Sequence, residues 1–462
     1  MDNEKLKKGI SKILFANILN IIFSIGTNFL LPKYISIDAY AKIKTYQLLT
    51  SYIVILQLGY SDGMYLHFGG KDLSSITSTE LKKSIETMRL FQIIVSSISL
   101  FCSILTRNPV IIVAALTILP QNIVSYYKTL YQATGVFGQY SKVLNYVTGA
   151  TFAVNIVLIF FLKVDNYLLY IIGYLVISVC ICAVLEYKTC RDYDVSVSIK
   201  NFSFLELKEK VASGILLLFA NFSSILLTSM DRWFIKIFLG SMEFAMYSFA
   251  VSLENFLNVV ISPITVTLYN FFCNSDDVQK VSKVREFVIV FASFLIASAF
   301  PIKFIIEVYL DKYAESIPVI FYLFCAQLFL IVIRSIYSNL YKAKKLQKKY
   351  FSRMCLTIFV AFALNYACFM VLKTKESFSI ATLISSVFWL IISVADFWEY
   401  RFGIKNMVYI SCCAISFLIC GIVADAILGF LIYILICVVL VMLLMKKTRI
   451  VLFSTIKNKL LR

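Results

Sequence analysis

Histidine is almost missing from this sequence: His67 is the only one in 462 residues. No Cys/His cluster has the spacing of metal ligands, so a zinc or haem centre is not expected, and no cofactor is called for. Charge is scarce as well, at 15% of residues. A soluble domain of this length needs a more polar surface to dissolve. Long polar stretches are also lacking. The outward connections are as short as "TRNP", "LKVDN" and "LKTKES", and the longest inward one is about 23 residues. No extramembrane domain is expected, so any function must sit among apolar segments. Finally, the first apolar block carries no small-residue cleavage site, and it reads as a retained helix rather than a removed signal peptide.

Apolar residues are plentiful, at 60%, with a mean hydropathy of +0.85. They come in blocks of about 20, the length a helix needs to cross the hydrocarbon of a bilayer. Short alternating segments, the mark of a membrane β-barrel, are absent. The chain therefore reads as an all-α integral membrane protein with about fourteen transmembrane helices, from 9–31 and 45–67 through 211–235 and 244–272 to 408–426 and 428–445. Twelve cysteines lie mostly within the blocks, Cys102, Cys180, Cys325 and Cys437 among them, where they act as small apolar residues rather than as a disulfide framework.

Of the 44 lysines and arginines, 32 fall at the two termini and in alternate connections. By the positive-inside rule, both termini are expected to be cytoplasmic. The net charge of +18 then signals topology and attraction to anionic membrane lipid. Because the basic runs are short and divided among loops, no nucleic-acid partner is expected.

The sequence repeats itself. "LFAN" at 14–17 recurs at 218–221, and at the same offset of 204 Tyr34 meets Phe238 and Tyr40–Ala41 meets Phe244–Ala245. "SYYKTLYQATGVFGQY" (125–140) aligns with "SIYSNLYKAKKLQKKY" (335–350) at an offset of 210, as does "FAVN" (152–155) with "FALN" (362–365). The unit is six helices. An even number makes the two copies parallel, related by an axis along the membrane normal. We expect an N-lobe over 1–200, a C-lobe over 201–400 facing it across a central cavity, and two extra helices with a basic cytoplasmic tail over 401–462.

"LPKYIS…YA", "LGYSDGMYLHFGG", "DRWFIKIFLG…FAMYSFA" and "LYKAKKLQKKY", in this order and spacing, resemble the multidrug/oligosaccharidyl-lipid/polysaccharide (MOP) exporter superfamily. Within it, the chain looks like the Wzx-type O-antigen and capsule flippases. Ala41 and Ala245 stand where that family often has glycine. The resemblance covers essentially the whole chain. It implies a bacterial cytoplasmic-membrane transporter, not an enzyme. Its implied substrate is an undecaprenyl-diphosphate-linked oligosaccharide, moved between leaflets by alternating access. It further implies coupling to H+ or Na+ and a polysaccharide polymerase as a partner.

Several polar residues lie within apolar blocks. Asn17, Asn20, Ser24, Thr27 and Asn28 share one face of the first helix, and the repeat maps them onto Asn221, Ser224, Thr228, Asp231 and Arg232. They read either as two walls of one cavity or as packing contacts between helices. Arg232 suits a diphosphate because its planar fork donates two hydrogen bonds. Alternatively, Asp231 and Arg232, beside Trp233, reach the headgroups as an interfacial anchor. Glu254, with Asn258 a turn on, reads as a proton or cation site or as a structural partner of an arginine. Arg334 is a further cavity candidate that could instead snorkel. Lys44, with Lys42 and Lys12, could funnel an anionic head group or be a solvated helix end. Asp62 and His67 read as interfacial, and Pro120, Pro263 and Pro301 as candidate kinks.

Two other functions compete with the flippase reading. A multidrug or small-molecule cation antiporter of the same superfamily usually has twelve spans and needs acidic residues to dominate its cavity. A membrane polysaccharide polymerase or glycosyltransferase needs an extramembrane region to hold a sugar and an acid pair, which the short outward loops do not provide.

Overall fold

A helix crossing hydrocarbon satisfies its own backbone, which is why these apolar blocks fold as helices. The structure, a computed structural model, describes Leu19 and residues 22–69, 71–193, 202–274 and 277–445. Among the described residues all regular structure is helical. The helices are α1 (described over 22–34), α2 (Ile37–Ser51), α3 (Tyr60–Phe68), α4 (Ser78–Leu105), α5 (Pro109–Ala133), α6 (Phe137–Ile156), α7 (Tyr167–Tyr193) and α8 (Phe204–Phe238). There follow α9 (Ser241–Asn274), α10 (Val278–Ile296), α11 (Ala299–Tyr309), α12 (Ile317–Val332), α13 (Ser338–Ala343), α14 (Gln347–Leu372), α15 (Glu376–Asp396), α16 (Ile404–Val423) and α17 (Ala426–Leu444). Twelve of the resulting segments are long and apolar enough to cross a membrane. The chain is a multi-pass membrane protein.

The two expected spans outside that twelve are the first and the second. The first is described only from residue 22. The second is broken, which its hydropathy does not reveal. It begins at Ile37, earlier than the expected 45, because Ser36 caps the helix, its Oγ accepting from the Ala39 N–H at 3.3 Å. It then stops at Ser51, passes through a 3-10 turn (Ile53–Gln57), and resumes as α3 after Leu58 and Gly59, both at positive φ. Carbonyls released by the break find side-chain donors. Gln121 Nε2 reaches Thr50 O at 3.2 Å, and Gln92 Nε2 reaches Leu56 O at 3.2 Å. A buried amide chain completes the repair: Gln57 donates to Asn122 at 3.0 Å, and Asn122 donates to Gln92 at 2.7 Å. Broken backbone inside a bilayer needs this kind of internal satisfaction.

α8 runs beyond the expected 211–235 for a different reason. Hydropathy marks the apolar middle, whereas the helix extends through two polar N-terminal turns in which Lys210 pairs with Glu206 one turn away. The ninth span bends between α10 and α11, at Ala297 and Ser298. Pro301 has no N–H for the Ala297 carbonyl, so the break falls where the missing bond would be.

The chain divides into two compact units, Met1–Thr228 and Ser229–Arg462, with the boundary inside α8. In the first unit α5 packs against α2, α3, α4 and α7; in the second, α12 packs against α9, α10, α15 and α16. The two units repeat one another in backbone detail. At the offset of 210, α5 and α13 end at Ala133 and Ala343, and the following turns place Gly135 (φ 72°) and Lys345 (φ 56°) in the left-handed region. In both turns a 2.8 Å bond closes the helix end, from the Val136 N–H to Tyr131 O and from the Leu346 N–H to Tyr341 O. Glycine adopts this backbone freely, whereas Lys345 adopts it at a cost. At the offset of 204, α2 and α9 start at Ile37 and Ser241, with Tyr40–Ala41 and Phe244–Ala245 fully enclosed.

Tyrosine holds much of the interior together. Tyr60, Tyr126, Tyr170, Tyr247, Tyr409 and Tyr433 are among the largest fully buried side chains. Their hydroxyls are paired: Tyr126 with Ser84 Oγ at 2.7 Å, Tyr409 with Ser293 Oγ at 2.7 Å, and Tyr433 donating to Ser293 O at 2.9 Å. Where lipid is as apolar as leucine, such bonds help specify which helices meet.

Candidate functional site

The second unit gathers polar groups along one face of α9. Tyr247, Glu254 and Asn258 follow each other at spacings of seven and four, which stacks them on one side of the helix. Gln327 of α12 donates its Nε2 to Glu254 Oε1, and Arg334 donates to Asn258 Oδ1 at 2.5 Å. Arg334 sits in a π-helical turn, Ile333–Tyr337, between α12 and α13. Such a turn inserts a residue and re-aims the side chains around it, a device common at functional sites. Farther along, Thr265 Oγ1 meets Ser335 Oγ at 3.3 Å, and Asn339 donates to Thr265 O at 2.8 Å.

α8 supplies the other wall. Asp231 is buried, and its carboxylate accepts from the Tyr247 hydroxyl at 2.5 Å and from the Arg232 N–H at 2.7 Å. Arg232 is half-buried, and its Nε is enclosed without a hydrogen-bond partner among the described residues. Glu254 lies within electrostatic reach of Asp231, Arg334 and Arg232. The structure therefore brings together four charged residues chosen from sequence, two acids and two bases. Glu254 is half-buried rather than sealed, and its neighbour Gln327 keeps Oε1 enclosed and without a hydrogen-bond partner among the described residues. A carboxylate beside a free amide oxygen is a donor set that could share a proton or hold a small cation.

The other candidates lie in the first unit or outside the described residues. Asn17 and Asn20 belong to the latter group, as does Lys12. Lys44 is buried, donating to Asn28 Oδ1 at 3.3 Å with its ammonium 5.2 Å from the Tyr40 ring centre. Asn221 is exposed and donates to Asp62 Oδ1 at 3.2 Å. Thr228 bonds back to the Ser224 carbonyl at 3.1 Å, satisfying itself within its helix. His67 lies 2.8 Å from Glu80.

Sequence reading overlooked Tyr247 and Gln327, the groups that hold the two acids. Gln327 left a signal, as the strongly polar residue of "IPVIFYLFCAQLFLIV". Tyr247 left none, being one of 28 tyrosines.

No family model matches the chain, and no curated protein matches it either. Solved structures do. Lipid II flippase MurJ, in an inward closed conformation, superposes with a TM-score of 0.59 at 16% identity, over 98% of this chain and 99% of that one. A multidrug resistance MATE family transporter of the MOP superfamily, inward-facing, superposes with a TM-score of 0.58 at 13% identity, over 86% of this chain and 95% of that one.

The chain shares the fold of these two proteins. An outward-facing MATE transporter of that superfamily also matches, with a TM-score of 0.53 at 11% identity over 88% of this chain. The MATE matches cover 86% and 88% of this chain, whereas the MurJ match extends over nearly all of both chains.

Proposed function

We propose that this protein is a flippase that moves an undecaprenyl-diphosphate-linked oligosaccharide, an O-antigen, capsule or related repeat unit, across the bacterial cytoplasmic membrane. The observation that carries this reading is the end-to-end likeness to lipid II flippase MurJ. The short loops and the net charge of +18 agree with a lipid-borne, anionic cargo. In this reading the two lobes open alternately to each side, both termini are cytoplasmic, and a polysaccharide polymerase takes up the product. Arg232 and Arg334, with Lys44, Asn28, Asn221, Asn17 and Asn20, line the path of the head group. Arg232 meets the diphosphate, and Asp231 holds the polypeptide around it in place. Glu254, with Asn258 and Gln327, couples the movement to H+ or Na+.

A second reading, a cation antiporter, draws on the MATE likeness and on the acids Asp231 and Glu254. Asp231 is committed to Tyr247, and both acids lie near arginines, so the site is not predominantly acidic.

The test follows labelled lipid-linked repeat units in cells depleted of the protein. The expected result is units stranded on the inner leaflet. Arrival on the outer leaflet at the normal rate, with a cationic dye retained instead of expelled, would turn the assignment to the antiporter.

A further inference from the structure

The first unit contains an open-sided cavity of about 360 Å³ lined by residues of α2, α5, α6 and α7. That is within the size range of small-ligand sites. Its polar lining falls into two sets. Thr50, Gln121 and Tyr174 are engaged: Gln121 donates to the Thr50 carbonyl, Thr50 Oγ1 bonds to Gln47 O at 3.1 Å, and the Tyr174 hydroxyl donates to Asn155 at 2.7 Å. Gln47, Ser125 and Lys128 are different, since no hydrogen bond or ion pair joins their side chains to another described residue.

Several other cations set into the described spans are paired, unlike Lys128. Arg89 pairs with Glu186, Lys210 with Glu206, and Arg353 with Asp396, while Lys303 caps the carbonyls of Gly421 and Ala424 at 3.0 and 2.7 Å. No acidic side chain lines the cavity that Lys128 faces. An unpaired ammonium in a span costs about 2.5–3.5 kcal/mol at the helix centre and less toward an end. Lys128 lies five residues, about 7.5 Å, before the end of α5. A lysine so placed ordinarily snorkels to the headgroups. Here it shares a cavity wall with Ser125 one turn deeper and Gln121 two turns deeper.

We propose that this cavity binds an anionic, hydroxyl-bearing group, with Lys128 as its counter-charge and Gln47 and Ser125 as hydrogen-bonding partners for the hydroxyls. A sugar phosphate or sugar carboxylate has this chemistry, and so does the head group of a phosphatidylglycerol lipid. The site lies wholly in the first unit and is separate from the Arg232–Glu254 cluster. It stands whichever cargo the protein moves.

The experiment uses the full-length protein in phosphatidylcholine nanodiscs, with binding read by calorimetry and thermal unfolding. Glucose 1-phosphate and glucuronate are the anionic probes, and glucose is the neutral one. Expected are binding of an anionic probe but not of glucose, a loss of at least about tenfold in affinity in Lys128→Gln, and retention in Lys128→Arg. Discs containing phosphatidylglycerol separate the sources. If that lipid displaces the soluble probes, or alone stabilises the protein in a Lys128-dependent way, the lipid is the natural occupant; if the soluble probes bind undiminished, it is not. Three results would overturn the proposal: equal anion binding by Lys128→Gln and wild type, glucose binding as tightly as the anions, or no Lys128-dependent effect of any anion in either disc.

Discussion

The Tyr247 hydroxyl donates to the Asp231 carboxylate at 2.5 Å, tying α9 to α8 across a buried interface. Asp231 thus looks inward, to a partner that sequence reading did not offer it. A buried carboxylate deprived of a donor costs about 1–3 kcal/mol, or more for a full charge. Tyr247→Phe is therefore expected to lower the unfolding temperature by several degrees. Asp231→Asn, which retains a hydrogen-bonding oxygen and sheds the charge, is expected to lower it less. An unchanged unfolding temperature in Tyr247→Phe would refute this role for the pair.

Glu254 is the proposed coupling residue, and its substitution separates coupling from folding. Glu254→Gln keeps the shape and a hydrogen bond to Gln327 while removing the titratable group. The variant is expected to unfold near the wild-type temperature, and its transport in proteoliposomes should no longer respond to a proton or sodium gradient. A gradient response equal to wild type would remove Glu254 from the coupling role.

Arg232 is half-buried, and its enclosed Nε has no hydrogen-bond partner among the described residues. Arg232→Ala is expected to insert normally and lose about tenfold or more of its flipping rate, the worth of one charge-assisted hydrogen bond. Arg232→Lys should recover only part of it, because an ammonium lacks the planar fork. Undiminished flipping by Arg232→Ala would return this residue to the anchor role.

Close backbone approach can be tested at two glycines. A Cβ on Gly214 of α8 would fall on the Gly59 carbonyl and the Gly63 N–H, and one on Gly63 would fall on the Lys210 carbonyl. Small residues allow membrane helices to touch in this way. Gly214→Ala is expected to lower the unfolding temperature markedly. Gly149→Ala serves as the control: its Cβ meets only the Phe23 ring at an ordinary 3.4 Å, and alanine favours the helix.

A pH test applies outside the spans, where Lys375 lies 2.8 Å from Glu243 and 3.2 Å from Glu315. Burial pulls the Lys375 ammonium down, but the two carboxylates outweigh it and hold the group above its ordinary value of 10.5. A raised lysine contributes its full stability below its unfolded value and loses it only as pH climbs through the folded one. The drop in unfolding temperature from Lys375→Met should therefore stay constant between about pH 6 and 9. A difference that shrinks across that window would contradict the ion-pair account.

The plan of spans was legible in the sequence because burial along a membrane chain is nearly one-dimensional. An apolar run of about 20 residues has few alternatives to a spanning helix. The repeat was legible too, and the structure adds that the segments aligned at an offset of 210 share the turn at Gly135 and Lys345. Span ends and the break near Gly59 were less so. Hydropathy does not register the cap at Ser36, the pairing of Glu206 with Lys210, or the glutamines that satisfy a broken helix from elsewhere.

For the site, the sequence by itself determined that Asp231, Arg232, Glu254, Asn258 and Arg334 are out of place in hydrocarbon and need partners. Only the tertiary structure decided what those partners are: Tyr247 for Asp231, Gln327 for Glu254, and Asn258 for Arg334. It also decided that Lys128 has none among the described residues. The reason is physical. In a bilayer the lipid-facing and protein-facing sides of a helix are both apolar, so periodicity does not indicate which residues meet. Pairing is settled when helices distant in sequence pack together and each buried polar group must bond to whatever faces it.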